Sequence, residues 1–522
     1  MAKRTGSTDR LLVTLCSILA IIVLAAAPAL AQAPRPGGTL RVATIGEPPS
    51  LDTHLPTGII AMSIAQHVFE GLFTLDKDFR PIPLLAESYS VADGGRRAVI
   101  KLRRGVQFHN GKEFSSEDAV ASLQRLMKLE YHFRSFIAPN VVDVRAPDRY
   151  TVEVLLKKPS SMLLPVMSTA TAPMYPKEVI DEFKEERIKK FIGTGPFEFV
   201  EWRPDRYIEV KRFEKYLARP EAPNGYGGKR TAFVDRIRFI PVPDGSVRAA
   251  GIESGEYDVA EDISPDFYAR VKGNPGIQAM IIKPLAYPFI IFNKKEGLFT
   301  NTKLRQAVLA ALDMEPILQA AGGGKEFFGL NNSIYQPEIK AWYTTAGKEH
   351  YNQKNVVLAK QLMKEAGYTG QLIRWMATKQ YDWIYNTSLT AKTQLEKAGF
   401  NIDLQVLEWS TVIQRRTKPD LWEIFVTFNS LSPEPPLYQA WLAKDWPGWW
   451  ENGQRDELLA KFDQESDPKK RFAIWEDIQK LIWEEVPIIK VGDLNGLALA
   501  SAKVKGLWPT YLMPYYNVWL ER

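Results

Sequence analysis

The sequence predicts an α/β protein built from two or three lobes, and three observations carry that prediction. The second half alternates strands and helices at regular spacing. The chain of 522 residues is longer than one hydrophobic core organises and is large enough to enclose a ligand. Residues 84–123 place a strand, a two-glycine hairpin, a second strand and a capped helix in close succession.

The chain opens on Lys3, Arg4 and Arg10, followed by an apolar run over residues 11–27 and the small-residue site Ala29-Leu30-Ala31. This order reads as a secretory signal over residues 1–31, cut after Ala31, because a cut after Ala33 would put Pro34 just past the scissile bond. An uncleaved membrane anchor is the competing reading, since the run approaches spanning length. Cys16 is the only cysteine; it lies inside the run, with Thr14-Leu15 before it instead of the small residue a lipid-attachment site needs. The mature chain therefore has no disulfide, thiol nucleophile or cysteine-ligated metal. The formal charge is +6; Lys3, Arg4, Asp9 and Arg10 account for +2, and the remaining +4 is spread along the chain. No arginine-rich arm or basic helix argues for nucleic acid, and no later apolar run is long enough to cross a bilayer.

Residues 38–43 alternate as a strand that exits into the proline-rich loop from Glu47 to Asp52, a common place for a pocket wall. A helix over 61–69 and a short strand over 72–75 follow. In the 84–123 block, Tyr89 and Val91 share one side, Asp93-Gly94-Gly95 supplies positive φ angles, and Val99, Lys101, Leu102 and Val106 continue the pattern. Asn110-Gly111 marks a turn, and Ser115 or Ser116 caps a helix with Glu117 and Asp118 in its first turn and Ala119, Leu123 and Leu126 on its apolar face. This block identifies a fold and not a pocket. Residues 143–156 read as hairpin strand and 192–197 as a tight turn into a strand over 198–202. A strand, helix and strand follow at 234–239, 246–254 and 257–260. Residues 285–293 read as a strand crossing between lobes, with a hinge there.

Farther on, Leu304, Val308, Ala311 and Leu312 line one helix, and Leu358 and Leu362 another that stops at Gly367. A strand over 372–377, a helix through Leu389 and Leu395 to Gly399, a strand with Ile402, Leu404 and Val406, a short helix capped by Ser410, and a strand over 423–428 complete a partly parallel α/β lobe. Ligands in such sheets sit beyond the carboxyl ends of the strands. Residues 379–381, Trp409 and residues 429–434 therefore share one edge.

Taken in order, several blocks resemble the large extracytoplasmic solute-binding proteins of peptide- and nickel-type ABC importers, solute-binding family 5. They are Gly37-Gly38-Thr39-Leu40 with Leu51-Asp52, residues 84–123, Gly193-Thr194-Gly195-Pro196-Phe197 with Glu201-Trp202, and Val234-Asp235 through Gly255-Glu256-Tyr257-Asp258. Phe292-Asn293, Leu304-Arg305-Gln306-Ala307 with Leu312-Asp313, Ala359-Lys360 to Ala366-Gly367-Tyr368, and Val504-Lys505-Gly506 continue the series. The resemblance implies an α/β, two-lobed periplasmic-binding-protein fold, type II of the large cluster C type, with an inserted subdomain and a hinge between lobes. It places lobe I at 32–83, 193–286 and 497–522, the inserted subdomain at 84–192 and lobe II at 287–496. It also implies a periplasmic monomer without cofactor or catalysis that closes on a small solute, a peptide or peptide-like compound, and delivers it to the permease subunits of an ABC transporter.

Peptide-binding members hold the ligand backbone by strand-like bonds, its amine by an acid and its carboxylate by a base. The acid is expected after the strand ending at Phe428, where the sequence reads Asn429-Ser430-Leu431-Ser432-Pro433-Glu434, without the aspartate of the dipeptide binders. Either Glu434 substitutes or the ligand has no free amine. Lys379 or Arg374 is the candidate base, a solvated loop side chain being the alternative for the lysine. Thr57 matches a pocket-wall position or satisfies its own loop. Tyr381, Trp409, Asn429, Ser430 and Ser432 complete the candidate set. Trp441, Trp446, Trp449 and Trp450 form either an aromatic ligand wall or packing against the helix near 457–462.

An exported hydrolase is the rival from another class. The chain has no Gly-x-Ser-x-Gly elbow, Gly322-Gly323-Gly324-Lys325 lacks the rest of a phosphate loop, and the five histidines, 54, 67, 109, 132 and 350, show no short metal-ligand spacing. His109, inside the fold-marking block, reads as structural. A sensory or chaperone role on the same fold is the second rival.

Overall fold

The first strand, β1 (Thr39–Thr44), lies between two parallel partners, and this position explains why most of its residues are buried. The computed structural model describes residues 34, 36–56, 58–430, 434–438 and 440–521. The signal over 1–31, Thr57 and Ser432 lie outside the described residues. After β1 come α1 (Ile59–Val68) and the hairpin β2 (Phe73–Leu75) and β3 (Pro81–Pro83).

A separate four-stranded antiparallel sheet follows: β4 (Ala86–Ala92), β5 (Arg97–Leu102), β6 (Val141–Asp148) and β7 (Thr151–Leu156), in the order β4-β5-β7-β6. Asp93, Gly94 and Gly95, at φ 54°, 60° and 90°, make the β4–β5 turn. The helix of this block, α2 (Ser116–Leu129), starts with a capping box in which Ser115 and Asp118 bond each other's backbone. Tyr89 is half-buried but Val91 is exposed, because β4 is an edge strand and α2 covers β6 and β7 at the other side of the sheet. The stretch at 143–156 lies in two strands that turn back at Arg149-Tyr150.

The main sheet is 12-stranded. Its first-lobe portion adds β8 (Phe197–Arg203), β9 (Tyr207–Arg212), β10 (Arg236–Pro241), α3 (Gly245–Ser254) and β11 (Val259–Ile263). Leu40, Val42, Val68, Phe197, Ile237 and Tyr515 share its core. The expected crossing strand at 285–293 begins earlier, as β12 (Ile277–Phe292).

The second lobe has the small β13 (Phe328–Gly329) after α4 (Thr302–Ala311) and α5 (Met314–Gly322). Then follow α6 (Val356–Glu365), β14 (Leu372–Ala377), α7 (Asp382–Ala398), β15 (Asn401–Val406), α8 (Trp409–Arg415) and β16 (Ile424–Ser430). Strands β14, β15 and β16 pair in parallel. Gly367 and Gly399, at φ 72° and 108°, take the left-handed turn that ends a helix. Leu389 is exposed while Leu395 is buried: six residues apart they lie on different faces of α7. Ser410 does not cap α8; the cap bond comes from the neighbouring loop, where the Gln380 side-chain oxygen accepts the Trp409 N–H at 2.6 Å. α9 (Gly453–Gln464), α10 (Pro468–Glu485), β17 (Ile488–Lys490) and β18 (Asp493–Ser501) close the lobe.

Two strands run through both lobes. The first half of β12 pairs with β18 from Ile277↔Ser501 to Ile282↔Gly496, and its second half pairs with β16 from Ala286↔Ser430 to Phe292↔Ile424. The β12–β18 register slips between Ile282 and Ala286, at the junction of the two halves.

Candidate functional site

Strand direction fixes where a site can form. β14 and β16 run toward the first lobe, since Ser430 at the end of β16 pairs with Ala286 in the middle of β12. β11 runs the other way: Val259 pairs with Ala500 and Ile263 with Leu497, closer to the second lobe. The carboxyl ends of strands from both lobes therefore point at one cleft, the position such sheets offer to ligands.

At that edge the second lobe carries a cluster of rings packed on its core. Tyr381, between β14 and α7, lies edge-on to Trp409 with centroids 5.6 Å apart and 6.0 Å from Phe428; Trp383 lies 5.0 Å from Phe428. All four are only partly buried. Burial raises the Tyr381 hydroxyl pKa, with a further push from the carboxylate of Asp262 in the first lobe. Exposed Lys379 sits over the Tyr385 ring at 5.0 Å. Asn429 is on the opposite face of β16 from Phe428, as strand alternation requires, and its side chain meets the Tyr287 hydroxyl at 3.3 Å. The backbone of Ser430 belongs to the β12–β16 ladder.

Two expected contacts are corrected. Arg374 lies three residues short of the end of β14, where its guanidinium makes a paired contact with Glu423 at 2.9 and 2.6 Å and donates to the Asp420 carbonyl. Glu434 is buried, and Arg471 holds both its oxygens at 3.0 and 2.9 Å. Burial pushes its carboxyl up to about 7 against the pull of Arg471, which stacks over Phe462 at 4.2 Å. Both charges are spent inside the second lobe. Nothing in a linear motif separates a charged residue facing a cleft from one paired within the core.

The family model for "Bacterial extracellular solute-binding proteins, family 5 Middle" matches residues 80–448. The chain belongs to this family. A Sinorhizobium fredii relative named as a probable peptide ABC transporter periplasmic-binding protein is 26% identical over 484 residues, 88% of this chain and 90% of its own. Two solved structures share the fold. The A. tumefaciens protein AgaA in complex with agropinic acid has a TM-score of 0.78, with 22% identity over 93% of this chain and 99% of its own. The Helicobacter pylori protein DppA in complex with peptide STSA has a TM-score of 0.76, with 21% identity over 94% and 99%.

In this family-5 solute-binding protein, sequence reasoning missed Trp383 and Phe428 as members of the ring cluster; each sits in an ordinary helix or strand pattern with no local signal. His109 is built into the frame: its Nδ1 accepts the Gly193 N–H at 3.2 Å and its Nε2 donates to the Gly195 carbonyl at 3.0 Å, holding the 193–197 turn. Burial lowers its pKa to about 4, so it stays neutral. Trp441 and Trp450 are buried, and Trp449 stacks on Trp422 at 5.8 Å, so these rings pack the second lobe. Among the described residues, no group of three His, Cys, Asp or Glu is placed to hold a metal.

Proposed function

We propose that this solute-binding protein is the periplasmic receptor of an ABC importer, exported by the signal over 1–31 and acting as a monomer that closes on a peptide or peptide-like solute. It then presents the closed complex to the permease subunits. The observation that carries this reading is the ring-lined wall of Tyr381, Trp383, Trp409 and Phe428 at the mouth of β14–β16, facing strand ends of the other lobe. Rings offer a large contact area that loses little conformational freedom on binding. Lys379, Asn429 and Ser430 at the same edge, with Thr57 and Ser432, complete the proposed ligand set, from which Arg374 and Glu434 are withdrawn. The strands β12 and β18 are the proposed hinge, and the lobe divisions at 83/84, 192/193, 286/287 and 496/497 go with it. Contacts between the lobes support closure: the backbone N–H of Ser161 donates to the Asp463 carbonyl at 2.9 Å and the Ser160 hydroxyl to the Asp463 carboxylate at 2.8 Å.

A second reading is a non-peptide solute such as an opine, favoured by the turning of Glu434 away from the cleft. Native mass spectrometry of the gently purified mature protein decides between them. Recovery of short peptides is the expected result. A sugar, opine or metal chelate overturns the peptide reading, and turnover of any bound solute overturns the receptor reading.

A further inference from the structure

We propose that Asp262 is the first lobe's ligand carboxylate, which takes up an ammonium group of the solute and holds it against the ring wall of the second lobe. The proposal deepens the receptor reading and rests on it. It names the charge class of the ligand and fills the place left empty by Glu434.

The backbone sets Asp262 apart within β11. Pairing with β18 breaks register between Ala260 and Ile263, and Asp262 in this bulge has φ 51°, in the left-handed region that aspartate tolerates better than most residues. Arg248 on α3 fixes the bulge, donating from Nε to the Glu261 carbonyl at 3.0 Å and from Nη2 to the Asp262 carbonyl. The two acidic side chains then diverge. Glu261 turns inward, where the Tyr515 hydroxyl donates to it and burial pushes its carboxyl up to about 7. Asp262 turns out of the sheet to solvent, and its carboxylate accepts no hydrogen bond from the described residues. Desolvation by the surrounding protein raises its carboxyl pKa against the pull of Arg248. The guanidinium of Arg248 is occupied by backbone carbonyls, including Val242 at 2.7 Å, and supplies only a through-space field.

A short series of contacts joins the segment after Asp262 to the base of the ring wall, and the Asp262 carboxylate acts through space on the Tyr381 hydroxyl. The chain leaving β11 lies against the second lobe: Pro265 and Asp266 border Gly323, and Tyr268 meets Phe327 at 5.3 Å. Gly323 ends α5, whose last turn is tied to the second turn of α7 by the Asn386 side chain on the Ala320 carbonyl at 2.9 Å. The turn before it carries Trp383, and Tyr381 immediately precedes the helix. A carboxylate on one side and π faces on the other suit a cation. Because the two halves belong to different lobes, an ammonium group between them favours the closed arrangement.

The test uses the full mature chain and its Asp262→Asn variant, which keeps the left-handed conformation and removes only the charge. Calorimetric titration employs three probe sets: a free-amine tripeptide mixture, the same mixture N-acetylated, and a panel of polyamines and quaternary ammonium compounds. The expected result is that acetylation and Asp262→Asn each weaken tripeptide binding about 10- to 100-fold, the scale of a lost hydrogen bond to a charged group, and that their effects are not additive. Equal binding of free and acetylated tripeptides, or unchanged affinity in Asp262→Asn, overturns the proposal and leaves the peptide reading standing. Binding of the ammonium panel alone, lost in Asp262→Asn, overturns the peptide reading and supports the proposal. Binding of no probe set overturns both.

Discussion

Asp52 offers the sharpest test of the energetics of the first lobe. Its carboxylate accepts Nη1 and Nη2 of Arg125 at 3.0 and 2.7 Å, the Ile188 N–H at 3.0 Å and the His54 N–H at 3.3 Å. Arg125 also donates to the carbonyls of Lys184 and Glu186, so one ion pair ties together the loop after β1, α2 and the segment at 184–188. Both side chains are almost wholly out of water, at 2% and 0% exposure. Burial alone would raise the carboxyl pKa, but Arg125 and the other donors outweigh it and hold the carboxyl below its usual range. Asp52→Asn keeps the shape, removes the charge and turns an amide NH2 toward a site where Arg125 and the Ile188 and His54 N–H groups can only donate. Breaking a buried pair from one side leaves the partner uncompensated and costs about 3–5 kcal/mol. Urea unfolding followed by tryptophan fluorescence should show a loss of that size. Asp52→Leu combined with Arg125→Met should cost less than Asp52→Asn, since it leaves no orphaned charge. A loss below about 1 kcal/mol for Asp52→Asn would refute the reasoning.

Glu434→Gln is expected to lower stability by about 3 kcal/mol through the abandoned Arg471 while leaving solute affinity unchanged, and a selective affinity loss would return Glu434 to the cleft. Trp409→Ala should weaken solute binding at least about 10-fold with the fold retained by circular dichroism; unchanged affinity would mean the ring wall is misplaced. A Cβ on Gly193 would sit 2.0 Å from the Val68 carbonyl oxygen, so Gly193→Ala should lower the thermal midpoint by the equivalent of about 1–3 kcal/mol, and an unchanged midpoint would contradict the close approach. For pH, His54, His67 and His109 have folded pKa values lowered by burial to about 4, 3 and 4; their stabilisation is present above the usual histidine range and is lost as pH falls toward 4. Glu261 and Glu434, raised to about 7, act oppositely, stabilising below the usual carboxylate range and losing this as pH rises through 7. Removing one of these raised carboxyls tilts the profile: between pH 6.5 and 4.5 the urea midpoint of Glu434→Gln should fall relative to that of the parent chain, whereas parallel profiles would contradict the burial of Glu434.

The sequence by itself determined the local elements and the family. Asp93-Gly94-Gly95 could only turn where a left-handed backbone is tolerated, Ser115 and Asp118 are close enough in sequence to cap one helix, and Gly367 and Gly399 end helices because they lack a Cβ. The edge shared by Lys379, Tyr381 and Trp409 was also legible, because parallel strands send their following loops to one side. Tertiary structure alone decided which charges were free to meet a solute. Arg374, Glu423, Glu434 and Arg471 are ordinary charged residues in the sequence, and their pairing joins positions 49 and 37 residues apart. Asp262 shows the converse. It stands in an unremarkable acidic dipeptide at a strand end, and only the β18 register slip and the Arg248 anchor turn it outward while Glu261 turns in. A charged side chain reveals its role through what surrounds it, and that environment is assembled from segments distant in the chain.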